Sequence, residues 1–161
     1  MKYAELVGGT NPPPDKDLLM EQLSFWAEKR CLTRLIEAPV HFAAVVMDDS
    51  RHVVAGVAAH RMLSTDYAWV DALFSLDTCE GQGLGASLLQ ATLNAEALRP
   101  CDRLALTAKY GSKEFYEHVG FTETVPGELQ SPLAADRPTL ELAFAARLGQ
   151  ARLAELIPDA P

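Results

Sequence analysis

The apolar residues near the start of the chain recur at helical spacing. After a break at residues 8–14, which hold two glycines and three consecutive prolines, Leu19, Leu23 and Trp26 follow with a helical period. Such a break cannot continue a helix or a central strand. We therefore predict a helix from about Asp15 to Arg34, with Asp15 as its N-terminal cap and a charged outer face.

Three strand-like runs follow the helix. They cover residues 41–47, 52–63 and 67–76, and short polar segments separate them. Polar residues of this type favour turns between strands. The runs predict an antiparallel meander whose central strands are apolar on both faces.

The second half of the chain alternates between helical and strand-like patterns. A buried stripe that begins at Leu84 marks one helix, and Gly120 is typical of a left-handed helix cap. The predicted order is a helix, a strand, a short helix, two strands and a final helix, over 86–98, 104–108, 112–119, 121–124, 139–145 and 146–157. This order predicts a single α/β or α+β domain over residues 1–161.

Length and composition agree with a single globular domain. Two cores of ordinary size would need roughly 200 residues or more, and the chain has 161. No apolar run approaches the ~20 residues of a bilayer-spanning helix, and the first residues lack the apolar segment of a secretory signal. The three cysteines form neither a C-x-x-C pair nor an even framework. We expect a cytoplasmic protein with no membrane partner.

The charge balance narrows the classes of molecule that the protein is expected to bind. With 14 Lys and Arg against 22 Asp and Glu, the formal net charge is −8. This balance argues against a nucleic-acid partner and is compatible with a cationic substrate. The histidines have no metal-ligand spacing among themselves, so we predict no metal site. A homodimer through the hairpin after Gly120 and the terminal helix stays open.

Three alternating glycines, Gly81, Gly83 and Gly85, stand between a predicted strand and a predicted helix. Glycine lets the backbone approach a ligand closely, and the free amides at a helix start favour a phosphate. The spacing matches neither the dinucleotide-binding fingerprint nor a P-loop. The segment predicts a phosphate-binding turn, and the alternative is a tight connection that needs glycine only for packing.

Taken together, these motifs resemble the GNAT superfamily of acyl-CoA-dependent N-acyltransferases over about residues 40–125. Residues 80–85, Glu-Gly-Gln-Gly-Leu-Gly, are similar to its pyrophosphate loop, Gln/Arg-x-x-Gly-x-Gly/Ala. Residues 69–75 look like its fourth strand, and residues 115–121 are similar to its Phe-Tyr-x-x-x-Gly-Phe signature. The implied fold is a mixed, mostly antiparallel sheet, flanked by helices, whose strands 4 and 5 splay apart.

The resemblance implies an N-acetyltransferase that moves acetyl from acetyl-CoA directly to an amine of a small molecule or peptide. It implies that the backbone of Ser75 and Leu76 holds the pantetheine arm. The implied pyrophosphate-binding residues are Gly81, Gln82, Gly83, Leu84, Gly85 and Ala86.

Two side chains are candidates for the chemistry. A primary amine with a pKa near ~10 must lose a proton before it attacks, so a base is needed. Asp71 is a charge within an apolar strand, which is costly unless it faces a cleft, and the resemblance implies a base or amine-binding carboxylate there. The alternative is that Asp71 pairs with an arginine or caps a loop. For Tyr116 the resemblance implies a proton donor to the leaving thiolate, and the alternative is a core tyrosine.

Glu80 and Lys109 depart from the family pattern. Glu80 stands where the family usually has Arg or Gln, and a carboxylate there would repel a pyrophosphate. Lys109 stands near a family Asn that binds pantetheine. Because of Glu80, an alternative function stays open, in which the protein is a non-catalytic relative of the family that binds a CoA-like ligand or a protein partner. His60 and Arg61 we interpret as solvated residues at a strand end rather than as an acceptor pocket.

Overall fold

A computed structural model of the chain describes residues 1–37, 39–62, 66–77, 83–108, 112–124, 139–144 and 157–158. The helices are α1 (Lys16–Cys31), α2 (Leu84–Asn94) and α3 (Lys113–Val119), with 3-10 turns at Leu35–Glu37 and Glu96–Leu98. The strands are β1 (Lys2–Val7), β2 (Phe42–Met47), β3 (Val53–Arg61), β4 (Tyr67–Ser75), β5 (Arg103–Thr107), β6 (Thr122–Glu123), β7 (Thr139–Ala143) and β8 (Ile157–Pro158).

In the part of the chain that the structure describes, the strands form one mixed sheet in the order β6-β7-β5-β4-β3-β2-β1-β8. Neighbours are antiparallel except β4 with β5 and β1 with β8, which are parallel. The sheet is therefore mixed and mostly antiparallel, as the sequence predicted.

Helices cover both faces of the sheet. The buried side of α1, with Leu19, Leu23 and Ala27, packs on one face, which we call the α1 face. The apolar residues of α2 and α3 pack on the opposite face, the α2 face, in a second buried cluster. All residues of β2 and the first seven of β3 are buried, because both faces of these central strands are covered.

A β-bulge interrupts the pairing of β4 with β3 at Asp71. Ala58 pairs with Ala72 and Ala59 pairs with Val70, so the backbone of Asp71 has no register partner on β3. One extra residue reverses the alternation of side chains along a strand. Accordingly Val70 lies in the α2-face cluster, whereas Ala72 lies in the α1-face cluster.

The two parallel strands β4 and β5 separate after a short paired stretch. Their register pairs begin at Tyr67 with Arg103 and end at Trp69 with Ala105, although both strands continue beyond these residues. The gap between the later parts of the two strands confirms the predicted splay of strands 4 and 5.

The predicted element bounds shift at several places. α1 ends at Cys31 rather than Arg34, because Leu32 adopts a left-handed conformation with φ of 56°. Asp15 occupies the N-cap position, but its side chain makes no capping hydrogen bond and instead accepts two from Arg51, at 2.6 and 2.7 Å. The predicted Gly120 cap is confirmed, with φ of 120°.

The prediction was wrong in two places. The sequence reasoning assigned no strand to residues 2–7, where β1 buries Ala4 and Leu6 with a two-residue period. The final predicted helix was extended to Ile157, but that residue pairs in β8 beside Lys2. Residues 146–156 of that helix and the predicted loop 126–138 lie outside the described residues. Within the described helices, none is long and apolar enough to cross a membrane.

We predict that Gly56→Ala destabilises the protein. A Cβ at Gly56 would lie 2.6 Å from Leu23 Cδ1 and 3.0 Å from Phe74 Cζ, both on buried side chains between α1 and the sheet. Overpacking of this kind costs about 1–3 kcal/mol, which urea denaturation measures.

The control is a double-mutant cycle with Leu23→Ala, which removes the nearer of the two contacts. Leu23→Ala alone costs about 2–5 kcal/mol, and the double variant should cost less than the sum of the two single changes. Strict additivity would contradict the proposed clash.

Candidate active site

The start of α2 is free of side-chain capping. Gly83 is the N-cap residue with φ of 72°, a left-handed conformation that favours glycine, and it provides no side-chain hydrogen bond. Its carbonyl oxygen accepts from Ser87 N at 3.0 Å and from Ser87 Oγ at 2.9 Å. The amides of the first helical turn, in Leu84, Gly85 and Ala86, have no intrahelical acceptor and point along the positive end of the helix dipole.

The earlier part of the predicted turn, Glu80, Gly81 and Gln82, lies outside the described residues. Gly85 lies inside them, and a Cβ there would meet Phe115 Cζ at 3.2 Å. The missing side chain therefore lets the Phe115 ring of α3 lie against the first turn of α2. For Gly85, the packing alternative has direct support.

The gap between β4 and β5 contains unpaired polar groups. The Leu76 amide donates to Val54 O on the β3 side, at 2.8 Å. It is therefore not available to a ligand, contrary to the sequence expectation. Because backbone groups alternate along a strand, those of Ser75 point the other way, toward the gap.

Two buried hydroxyl groups in the described structure lack a hydrogen-bond partner, Ser75 Oγ on β4 and Thr107 Oγ1 on β5. A buried hydroxyl without a partner is destabilising unless a water or a ligand bonds to it. Both belong to the strands that border the gap. Thr107 was not among the predicted site residues, although a polar residue in the apolar run 104–108 was a usable signal.

Tyr116 lies on α3 and is buried between two aromatic rings. Its ring centroid is 5.1 Å from that of Phe115 and 5.5 Å from that of Phe121. Burial raises the pKa of Tyr116 well above its usual range, with a smaller contribution from the thiol of Cys31 at the end of α1. The phenol therefore stays protonated at neutral pH.

Asp71 pairs with a histidine, not with the arginine considered from the sequence. Asp71 Oδ2 lies 2.7 Å from His60 Nδ1, and the two side chains are 9% and 21% exposed. Burial raises the pKa of Asp71, and the hydrogen bond to His60 opposes this rise. The interpretation of His60 as a solvated strand-end residue was wrong. The bulge brings Asp71 to His60, and a bulge is not readable from the sequence.

The bulge at Asp71 is tied to the end of α1. Thr33 Oγ1 donates to the backbone oxygen of Asp71 at 2.7 Å, and Cys31 Sγ lies 3.5 Å from Leu73 O. These contacts place the Asp71–His60 pair beside the segment that follows α1.

A second histidine borders the pair. The backbone amide of Arg61 donates to His41 Nδ1 at 2.9 Å. Burial lowers the pKa of His41, and the positive charges of Arg61 and His60 lower it further. His41 is therefore neutral at neutral pH. Within the described residues, no group of three or more His, Cys, Asp or Glu side chains is placed to hold a metal ion.

An open cleft of about 560 Å³ lies between the outer face of α1 and the segment after it. Three carboxylates line it, with one arginine and exposed apolar side chains. The lining residues include Asp17, Glu21, Phe25, Glu28, Arg34 and Ile36. The cleft is thus acidic and partly apolar, which suits a cationic ligand with an apolar part.

Comparison with known proteins agrees with this geometry. A model of the GNAT acetyltransferase domain matches residues 25–123, more than half of the chain. No curated protein sequence matches the chain.

Several solved structures share the fold at low sequence identity. The catalytic domain of a Tetrahymena histone acetyltransferase in complex with coenzyme A has a TM-score of 0.64 and 12% identity, over 94% of this chain and 97% of its own. A GNAT-family acetyltransferase from Staphylococcus aureus has a TM-score of 0.63 and 12% identity, over 88% and 99%.

N-acetylglutamate synthase from Neisseria gonorrhoeae, complexed with coenzyme A and N-acetylglutamate, has a TM-score of 0.64 and 14% identity, over 91% of this chain and 36% of its own. These likenesses concern the fold, whereas the family model covers the glycine turn, β4 and α3 in sequence. The chain therefore belongs to the GNAT family of acetyltransferases, which are acyl-CoA-dependent N-acyltransferases.

Proposed function

We propose that this protein transfers an acetyl group from acetyl-CoA to an amine of a small molecule or peptide, by direct attack in a ternary complex. The observation that carries the proposal is the separation of β4 from β5 beside the uncapped start of α2. This arrangement offers one opening to an extended, amide-containing arm and one helix terminus to its phosphates.

The residues at this opening fit coenzyme A. The backbone amides of the first turn of α2 suit a pyrophosphate. The family resemblance implies the same role for Gly81 and Gln82. The backbone of Ser75 suits the amides of the pantetheine arm, and the hydroxyls of Ser75 and Thr107 lack partners at the same gap. The coenzyme A complexes of the Tetrahymena and Neisseria structures support this choice of cosubstrate.

The thioester supplies an activated acyl group whose leaving thiolate needs a proton. We assign the donation of that proton to Tyr116, whose phenol is protonated at neutral pH. Burial makes the phenol a weaker acid, so the charge that develops on the sulfur has to drive the transfer. The acceptor must be a neutral amine, and the Asp71–His60 pair takes its proton. The acidic cleft on α1 shares no lining residue with the Asp71–His60 pair, and its carboxylates raise the local concentration of a cationic acceptor.

We predict that acetyl-CoA binds in isothermal titration calorimetry and that thiol is released with a panel of primary amines. Tyr116→Phe should lower kcat by roughly 10²-fold or more, because general-acid catalysis contributes 10²–10⁴. Its affinity for acetyl-CoA should change little.

The matched control is Tyr3→Phe, which removes a hydrogen bond from Tyr3 to Glu5 at the far side of the sheet. It should leave turnover unchanged. If no acetyl-CoA binds at high micromolar concentration, the proposed function is wrong. If it binds without turnover on any amine, the non-catalytic alternative replaces it.

We further predict that removing either hydroxyl at the gap raises the stability of the free protein but lowers the stabilisation that coenzyme A produces. Ser75→Ala and Thr107→Val remove buried hydroxyls that lack partners, so each should stabilise the free protein by about 1 kcal/mol. Each should also reduce the thermal stabilisation produced by coenzyme A, because the ligand loses a hydrogen-bonding group.

Thr92→Val is the control, since the buried Thr92 hydroxyl already donates to Leu88 O at 2.8 Å. That change should destabilise the protein by about 1 kcal/mol and leave the response to coenzyme A intact. An undiminished response in the Ser75 and Thr107 variants would contradict their role at the cofactor.

A further inference from the structure

The Asp71–His60 pair joins two strands at the bulge, and His60 is its more exposed member. Asp71 Oδ2 is occupied by His60 Nδ1 at 2.7 Å, and the Asp71 side chain is 9% exposed. The His60 side chain is 21% exposed. An amine can therefore approach the imidazole without breaking the pair, whereas it must displace the imidazole to reach Oδ2.

The hydrogen bond also fixes which ring nitrogen is reactive. A carboxylate can only accept, so Nδ1 of His60 carries the proton that it donates to Asp71. The lone pair of the neutral ring is then on Nε2. A carboxylate that orients an imidazole and stabilises its protonated form is the arrangement that makes histidine an effective base.

The carboxylate itself is rigidly held. Asp71 is the extra residue of the bulge, its carbonyl accepts from Thr33 Oγ1 at 2.7 Å, and Cys31 contacts Leu73 O two residues on. The backbone that carries the carboxylate is thus anchored to the segment after α1, and the carboxylate orients the His60 ring, which favours proton transfer at a defined position.

We infer that His60 is the general base of this enzyme and that Asp71 is its positioning residue. Nε2 of His60 takes the proton of the acceptor ammonium group, directly or through one water, and leaves the neutral amine that attacks the acyl carbon. The proton then passes to solvent, and Tyr116 separately protonates the leaving thiolate. This inference rests on the proposed function and assigns the base within it.

The surrounding charges set the conditions for this step. Asp71 on β4 is the carboxylate that faces the imidazole. The Arg61 side chain on β3 and His41 before β2 border the same region. The Cys31 thiol at the end of α1 lies near β4, at Leu73 O. Because the Arg61 amide donates to His41 Nδ1, that ring nitrogen is occupied. His60 is thus the partly exposed, carboxylate-oriented imidazole of the cluster.

The test compares His60→Gln, His60→Ala and Asp71→Asn with His52→Gln, a change at an exposed histidine in the β2–β3 turn. Turnover is measured from roughly pH 6 to 9, a range that contains the ordinary imidazole pKa. Acetyl-CoA affinity is measured on each variant. His60→Gln should lower kcat/KM by roughly 10²-fold or more and abolish the acidic limb of the pH profile.

Asp71→Asn should keep that limb but move it to lower pH, because the imidazolium loses its carboxylate. Added imidazole should restore part of the activity of His60→Ala and none of that of Asp71→Asn. His52→Gln should match the wild-type profile, and acetyl-CoA affinity should stay within about twofold throughout, a small change on the free-energy scale.

If the Asp71–His60 pair only links β3 to β4 structurally, the variants are expected to give different results. Such a role predicts equal losses of thermal stability for His60→Gln and Asp71→Asn, an unchanged pH profile for the folded fraction and no rescue by imidazole. Either that pattern or full activity of His60→Gln overturns the inference while the proposed function stands. A wild-type protein that binds no acetyl-CoA overturns the proposed function itself.

Discussion

The bulge at Asp71 is the constraint on which the site depends. One unpaired residue in β4 reverses the side-chain alternation, so Val70 packs beneath α2 while Ala72 packs beneath α1. The same residue carries the carboxylate that holds His60. Its backbone carbonyl accepts a hydrogen bond from the Thr33 hydroxyl, just after α1. Pairing with β5 ends two residues earlier, so the bulge and the gap follow one another along a single strand.

An acidic chain that binds a polyanion needs sources of positive potential other than its side chains. With a formal net charge of −8, the chain in the proposed function uses the backbone amides and the helix dipole at the start of α2 for this purpose. The buried hydroxyls of Ser75 and Thr107, which lack hydrogen-bond partners, are further neutral polar groups that a ligand can use. Polar groups left without partners cost stability in the free protein, and a ligand that satisfies them recovers that free energy.

Parts of the site were accessible to sequence reasoning, and parts were not. The glycine turn, Asp71 and Tyr116 stood out because a charge, a glycine series or a signature breaks an apolar pattern. His60 did not stand out, because its importance comes from a register shift that pairs it with a residue eleven positions away. β1 was missed because its two-residue period covers only Ala4 and Leu6. The Leu76 amide was misassigned because only the observed register shows that it bonds to Val54.

The sequence by itself determined the order of the elements from α1 to β7, the buried stripe of α2, the apolar run of β2, the left-handed cap at Gly120 and the family. Periodicity, glycine and local motifs are properties of neighbouring residues, so they are readable along the chain. Only the tertiary structure decided which histidine meets Asp71, which hydroxyls lack partners and where β4 leaves β5. These outcomes depend on strand register and on packing between distant segments, and a shift of one residue turns a side chain to the other face of the sheet.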